Sequence, residues 1–384
     1  MKIGVVFGGR SCEHDISIIS GIMTINAASE RHEVVPIYID GCGDWWTAKH
    51  MISVKVFADG LYKKKSKRVH LRPNCQWLFC QKGKKVHKLD VVIICTHGKN
   101  GEDGCLAGLL EMSGIAYAGS GVLASAVGMD KIMQKQVLRD AGFKVVRFFS
   151  VEKGDVDGGL YDLVGKVEKI GFPLILKPSN LGSSIGIIRV SDFKELFDGL
   201  KQAFCWDERV LVEEALEDFT EYNCAVLGAS GGKSELILSE IEEPISDGFL
   251  GYSEKYELFG GSKADGSGEY KSASKGCMGR YLPARADADL RGEIFEAARG
   301  VFRLLGCSGV ARVDFLFKDG QLYVNEINTV PGSMSNYLFE FGGLSFSGLV
   351  DRLIRAAMDE CKRKGELKLK FDSNVLKGSG GAKG

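Results

Sequence analysis

The chain has 384 residues, 45% of them apolar, more than one ordinary core needs and enough for two or three globular domains. Lys plus Arg and Asp plus Glu stand at 50 each, so no global field recruits nucleic acid or an anionic membrane surface. Eleven scattered cysteines, odd in number and without a C-x-x-C pair, argue against a disulfide framework or a zinc site and predict reduced thiols in a cytoplasmic protein.

The first predicted element is an apolar strand, Lys2 to Phe7, so no signal peptide is expected, and no apolar run approaches the ~20 residues that cross a bilayer. A helix is predicted from about Ser17 to Arg31, a strand from Val34 to Ile39 and a buried-type strand from Val91 to Cys95. This alternation predicts a small parallel α/β domain. Sites in such sheets open at the carboxyl ends of strands, which marks two loops, Gly8 to Glu13 and Thr96-His97-Gly98. The basic run from Lys63 to Arg68 has neither aromatic interleaving nor a supporting motif and reads as a solvated loop or edge.

A second unit is predicted to begin near Ser120, with an amphipathic helix from Met129 to Ala141 stopped by Gly142. Lys131, at the start of that helix, is either a phosphate ligand or a solvated helix lysine. The segment from Lys177 to Gly186 joins two strand-like runs, Pro173 to Leu176 and Ile185 to Val190. Its small residues let backbone amides approach a phosphate closely, with Lys177 at the edge to neutralise charge; the plainer reading is a structural turn.

A third unit is predicted from near Arg209. The run Val210 to Glu217 reads as a strand leading into a connection, an edge that could offer backbone groups to an adenine and a carboxylate to a ribose. Downstream, Glu254-Lys255-Tyr256 precedes a Gly/Ser/Lys-rich stretch over residues 260–268 that is either a lid or disorder. A lid landing a Lys and a Tyr on the reacting groups would exclude water from a phosphorylated intermediate.

The next segment carries most of the chemistry. Two runs of period-two alternation flank Asp319-Gly320 and predict a β-hairpin that aligns Arg312 and Asp314 with Glu326 and Asn328 on one face. Two carboxylates and an amide oxygen are hard donors suited to Mg²⁺ bridging nucleotide phosphates, with Arg312 supplying positive charge where negative charge develops. The alternative is a hairpin with a solvated charged face. From Gly378 to Gly384 the composition is that of a flexible tail.

Ordered segments at matching spacing run from Phe7 through Gly21, His97 through Gly104, Tyr117 through Gly121, Met129-Asp-Lys131, Lys177-Pro with Gly182 through Gly186, Glu254-Lys-Tyr256, Ala311 through Asp314 and Asn325 through Gly332. On these the chain resembles the D-alanine–D-alanine ligases of the ATP-grasp superfamily, from Lys2 to about Leu349. The resemblance implies an α/β fold of the α+β ATP-grasp kind. An N-terminal Rossmann-like parallel-sheet domain over residues 1–120 would be followed by ATP-grasp subdomains over 121–208 and 209–365, then a tail over 366–384.

The resemblance further implies ATP-driven joining of two D-alanines through D-alanyl phosphate, for peptidoglycan precursor synthesis in the cytoplasm, often by a homodimer. Asp314, Glu326 and Asn328 would hold two Mg²⁺ ions, with Mn²⁺ as an alternative. Lys131, Lys177 and Ser184 would bind phosphates, and Glu213, Leu216 and Glu221 the adenosine. Arg312 and the Gly332 amide would form the oxyanion hole. Glu13 would hold the first substrate's ammonium in a triad with Ser183 and the lid residue Tyr256, and Lys255 would reach the transferred phosphate. His97 would stand near the first substrate's carboxylate or else pack on the sheet edge.

Three departures stand out. Leu181 replaces a frequent Glu, the lid region is longer than in the commonest members, and Tyr337 occupies the position of the serine that meets the second substrate. Four rival readings follow: a D-alanine–D-serine ligase, a D-alanine–D-lactate ligase, a carboxylase of the biotin-dependent type and a catalytically silent nucleotide-binding relative. Tyr256, replaced in lactate-specific relatives, favours a nitrogen nucleophile, and the Glu13 and Lys255-Tyr256 matches argue against the carboxylase.

Overall fold

A computed structural model describes residues 1–158, 160–229, 231, 235–245, 279–368 and 370–371. Lys255, Tyr256, the Gly/Ser-rich stretch after them and the terminal glycine-rich tail lie outside the described residues.

In the first sheet β1 (Lys2–Gly8) pairs in parallel with β2 (Glu33–Ile39) and β7 (Val91–Ile94), and β8 (Ala116–Ala118) lies parallel to β7. Helix α1 (His14–Ser29) starts directly after Glu13 and packs Ile18, Ile22 and Ile25 onto Ile3, Val5 and Phe7. The sheet is not purely parallel, as the strand–helix alternation predicts. Strands β3 (Trp45–Thr47), β4 (Lys67–Arg72), β5 (Cys75–Cys80) and β6 (Lys85–Lys88) extend it antiparallel, giving the order β6-β5-β4-β3-β2-β1-β7-β8. The links from β2 to β3, β4 to β5 and β5 to β6 are too short for a crossover, so only antiparallel pairing closes them. Helix α2 (Val54–Ala58) follows β3, and α3 (Cys105–Ser113) precedes β8. The basic run lies along this extension, with Lys63 over the Trp46 ring and Arg68 paired to Asp44.

Helix α4 (Val122–Met129) breaks at Asp130, whose extended backbone and carboxylate cap α5 (Lys131–Asp140) by accepting from the N–H groups of Ile132 and Met133, both at 3.1 Å. Such a cap stabilises a helix by about 1 kcal/mol and here sets Lys131 as the first helical residue. The middle sheet comprises β9 (Phe148–Glu152), β10 (Leu174–Pro178), β11 (Ile188–Val190) and β12 (Arg209–Glu214), in the order β11-β10-β12-β9. Helices α6 (Lys153–Gly158), α7 (Leu160–Ile170) and α8 (Phe193–Ala203) accompany it. β12 opens the segment expected to be a third unit, yet it hydrogen-bonds between β10 and β9. Its Val210 and Val212 share a core with Leu174, Leu176, Leu196 and Leu200, so its apolar face belongs to the middle sheet.

The third sheet has the order β15-β14-β13-β16-β17, with β13 (Thr220–Ala229), β14 (Ile237–Pro244), β15 (Arg280–Tyr281), β16 (Ser308–Lys318) and β17 (Gln321–Asn328). Helix α9 (Ala288–Leu304) fills its core with Ile294, Val301 and Phe302. The β16–β17 hairpin turns at Asp319 and Gly320, with φ of 50° and 74°, as a primed two-residue turn requires. After a short α10 (Asn336–Phe341), α11 (Phe346–Gly365) packs between the first and third sheets, burying Leu353, Ile354 and Ala357 in one core with Ile18, Ile22 and Val91 of the first and Ala225, Leu227 and Val310 of the third. The end of the expected C-terminal subdomain therefore contributes to a core shared with the N-terminal sheet.

Candidate active site

The hairpin places its polar residues in opposing pairs, Arg312 across from Asn328 and Asp314 across from Glu326. A bulge beyond Asp314 adds Asn325 to β17 without disturbing those pairs. Arg312 donates a bidentate pair of hydrogen bonds to Asp314, 2.6 Å from Nε and 2.7 Å from an Nη, and the Asn328 amide donates to the same carboxylate at 3.1 Å. Burial alone would lower the Arg312 pKa, but the Asp314 carboxylate holds it well above the ordinary value. Arg312 is a fixed cation. Lys131 Nζ meets Glu326 at 3.3 Å and donates to the Leu181 carbonyl at 3.0 Å, joining the helix start to the hairpin and to the 177–186 turn.

Lys177, the last charged residue of β10, sits in a buried triad. Its Nζ is 2.5 Å from one Glu213 oxygen, and the other oxygen is 2.8 Å from Lys135 Nζ. Glu213 and Lys135 are each 2% exposed. Burial would raise the Glu213 pKa, but the two lysines outweigh it and hold the carboxyl at about 2. For Lys135 desolvation wins and lowers its pKa; for Lys177 the carboxylates overcome desolvation and raise it. Glu221 on β13 is among the carboxylates that stabilise the Lys177 ammonium, and Lys177 also reaches Asn325 Oδ1 at 3.4 Å.

Glu13, at the mouth of α1, accepts a hydrogen bond from the Ser183 hydroxyl. Burial raises its pKa, opposed by Ser183 and Lys131 and reinforced by Glu326, so Glu13 shares one electrostatic neighbourhood with the hairpin. Ser183 and Ser184 adopt left-handed backbone, φ 56° and 58°, uncommon for non-glycine residues and here set by the tight turn. Gly182 is required by space: a Cβ there would lie 2.8 Å from both Glu13 carboxylate oxygens.

His97 is 5% exposed and hydrogen-bonded through Nε2 to Ser20 Oγ at 2.9 Å; the same Oγ accepts from the Ser333 N–H at 3.0 Å. Desolvation lowers its pKa to about 4, against a hydrogen bond to the Val330 backbone. Glu102 accepts from the Gly98 N–H at 2.9 Å and also bonds the Val330 backbone; burial and the nearby Glu13 raise its pKa to about 8. His97 and Glu102 thus grip the chain on either side of Pro331-Gly332. A Cβ at Gly332 would meet nothing within 4 Å, and Ser333, Met334 and Ser335 follow in left-handed backbone. Tyr337 donates to Glu242 at 2.6 Å.

The structure therefore brings Glu13, Ser183, Lys131, Arg312, Asp314, Glu326 and Asn328 together from all three sheets, with Lys177, Glu213 and Glu221 beside them through Asn325. Ser184 lies in the turn, and Leu216 is half-buried in the link from β12 to β13. Glu213, expected to line the adenosine, has both its oxygens facing lysines, one toward Lys135 and one toward Lys177. Sequence reading missed Lys135, Ser20 and Glu102. Lys135 had a signal, standing four residues after Lys131 on the same helix face; Ser20 had none.

Among the described residues no group of three or more His, Cys, Asp and Glu side chains is placed to hold a metal ion. The Asp314, Glu326 and Asn328 set offers two carboxylates and one amide oxygen, which fits an ion whose shell is completed by ligand phosphates. No helix among the described residues is long and apolar enough to cross a membrane.

Residues 2–120 match the family model for the D-ala D-ala ligase N-terminus and residues 137–355 that for its C-terminus. The D-alanine–D-alanine ligase of Thermosipho melanesiensis is 34% identical over 383 residues, 98% of each chain. Among solved structures, the VanG D-Ala:D-Ser ligase from Enterococcus faecalis aligns with a TM-score of 0.76 at 30% identity, covering 93% of this chain and 99% of that one. The D-alanine–D-alanine ligase from Bacillus anthracis complexed with ATP aligns with a TM-score of 0.67 at 26% identity, covering 95% and 100%. The architecture is the ATP-grasp fold. The chain belongs to the D-alanine–D-alanine ligase family.

Proposed function

We propose that this protein joins two D-alanine molecules into D-alanyl-D-alanine at the expense of ATP, supplying peptidoglycan precursors in the cytoplasm. A carboxylate is a poor electrophile. Transfer of the ATP γ-phosphoryl group to a carboxylate oxygen of the first D-alanine gives D-alanyl phosphate and ADP, and makes that oxygen part of a leaving group. The amine of the second D-alanine then attacks the carbonyl carbon, and the tetrahedral intermediate expels phosphate as the C–N bond is completed.

In this reading Lys131, Lys177 and the turn around Ser184 hold the phosphates, while Leu216 and Glu221 line the adenosine. Glu213 acts through Lys177, whose ammonium it fixes at 2.5 Å. Asp314, Glu326 and Asn328 would hold two Mg²⁺ ions, or Mn²⁺, and hard oxygen donors suit either. Bound there, the ions would neutralise phosphate charge during phosphoryl transfer. Glu13, steadied by Ser183, receives the first substrate's ammonium; that cation favours the ionised carboxylate that burial disfavours. Arg312 and the Gly332 N–H face the oxyanion, each such donor contributing about 3 kcal/mol to transition-state binding. His97 serves by position: through Ser20 it holds the loop that carries Gly332. Lys255 and Tyr256, outside the described residues, keep the roles that the resemblance implies.

The observation that supports this most is the convergence of Glu13, Lys131, Arg312 and Glu326 from separate elements on one neighbourhood. The test is phosphate release from ATP by the purified protein with Mg²⁺ and D-alanine alone, with the product identified by mass. D-Alanyl-D-alanine is expected, and Arg312→Ala should lower kcat about 100-fold or more. D-Alanine-independent hydrolysis, or no dipeptide, overturns the reading. A second reading has one observation behind it: Tyr337, at the position of the second-substrate serine, gives its hydroxyl proton to Glu242, so the second substrate would be D-serine, and adding D-serine or D-lactate to the same assay separates these products. The homodimer is carried as part of this proposal, to be checked by light scattering.

A further inference from the structure

The third sheet carries a polar row that the reaction described above uses only in part. Glu242 on β14 stands opposite Asn223 on β13, Asn223 opposite Asp314 on β16, and Asp314 opposite Glu326 on β17. Directly opposed residues share a face, so Glu242 lies on the face of the metal-site carboxylates, two strands away from Asp314. Its carboxylate is 5% exposed and takes the Tyr337 hydroxyl at 2.6 Å, the Asn223 amide at 3.3 Å and the Arg280 guanidinium at 3.0 Å. Arg280 also lies over the Tyr337 ring, 4.8 Å from its centre. Its side chain is 44% exposed.

Each member of this cluster has a definite capacity. Tyr337 spends its one proton on Glu242, so it cannot donate to a substrate carboxylate as a serine hydroxyl could. Glu242, with three donors, is a scaffold for its neighbours. Arg280 is different: a guanidinium has five N–H donors in a rigid fork, and this one faces solvent on one side while Glu242 and the Tyr337 ring fix its plane on the other. A fork held in this way suits a planar carboxylate. Location agrees, since Tyr337 and Glu242 both lie near enough to Arg312 to strengthen its charge. An α-amino acid bears its carboxylate on the carbon that bears its amine. An amine attacking the carbonyl at Arg312 therefore carries its carboxylate into the adjoining space, on the side of Arg280.

We propose that Arg280, held in plane by Glu242 and Tyr337, binds the carboxylate of the second, amine-donating D-amino acid. This rests on the ligase reading above.

The experiment separates the two half-reactions. Hydroxylamine traps D-alanyl phosphate as D-alanyl hydroxamate, which needs ATP and the first D-alanine only, whereas dipeptide formation needs both. Arg280→Met is expected to raise the KM for the second D-alanine about 100-fold, the loss of a charge-assisted bidentate contact, with hydroxamate formation unchanged. Arg280→Lys should recover about a tenth of that loss, because a point charge replaces the fork. Tyr337→Phe should raise the same KM about tenfold by loosening Glu242. An Arg280→Met enzyme with an unaltered second-substrate KM, or with hydroxamate and dipeptide falling in parallel, overturns the assignment. If the unmodified protein yields neither hydroxamate nor dipeptide, the ligase reading itself fails, and this assignment with it.

Discussion

Replacing Glu213 with Gln should unsettle the protein through charge rather than volume. The carboxylate lies between Lys135 Nζ at 2.8 Å and Lys177 Nζ at 2.5 Å, with Lys135 and Glu213 each 2% exposed. Gln keeps the shape and removes the only charge that balances the two ammonium groups from within the triad. The fall of the Glu213 pKa from 4.5 to about 2 corresponds to about 3 kcal/mol of stabilisation of the ionised form. Removing one partner of a buried pair independently costs about 3–5 kcal/mol. Both routes give a loss of about 3 kcal/mol in the unit built on the middle sheet, measured by urea unfolding followed by circular dichroism. The double variant Glu213→Gln/Lys135→Met removes the most deeply buried unbalanced ammonium and should regain about half of that loss. The pH dependence has a definite sign. Because the folded pKa is depressed, the stabilisation is present above about 4.5 and is lost as pH falls through about 2; the Gln variant lacks that acid limb. A single-variant loss below about 1 kcal/mol, or a double variant no better than the sum of the singles, refutes the reasoning.

Two other substitutions test the loops at the site. His97, held neutral with a pKa of about 4, charges more readily when unfolded, so the protein should lose about 2 kcal/mol as pH falls from about 7 to about 5, and His97→Gln should remove that component from thermal melts over the same range. Equal pH dependence in both proteins would contradict the burial argument. Gly182→Ala would put a Cβ 2.8 Å from both Glu13 oxygens and push that carboxylate off Ser183. The expected result is a KM for the first D-alanine raised about tenfold or more with the fold intact, corresponding to at least about 1.4 kcal/mol of binding; an unchanged KM would remove Glu13 from the first-substrate site.

The local pattern of the third sheet was legible because its information is local. Alternation around Asp319-Gly320 sets the hairpin register, and a two-residue turn with positive φ leaves little freedom, so Arg312 had to face Asn328 and Asp314 had to face Glu326. The start of α5 was equally local, fixed by the Asp130 cap. The antiparallel edge of the first sheet was less so, since β3 to β6 are short and weakly patterned and their pairing depends on connection length.

By itself the sequence determined the residue types available for phosphate, metal and ammonium contacts, and the order in which the chain presents them. Only tertiary structure decided where β12 and α11 pack, because an apolar strand or helix face is complementary to any core of the right shape; β12 is buried in the middle sheet, and α11 between the first and third sheets. It alone decided that Glu213 is committed to Lys135 and Lys177, and that Glu242 holds Arg280 and Tyr337 near Arg312. Those contacts join residues far apart along the chain, and their energies depend on burial and on the sign of the neighbouring charge, quantities that exist only once the sheets have packed.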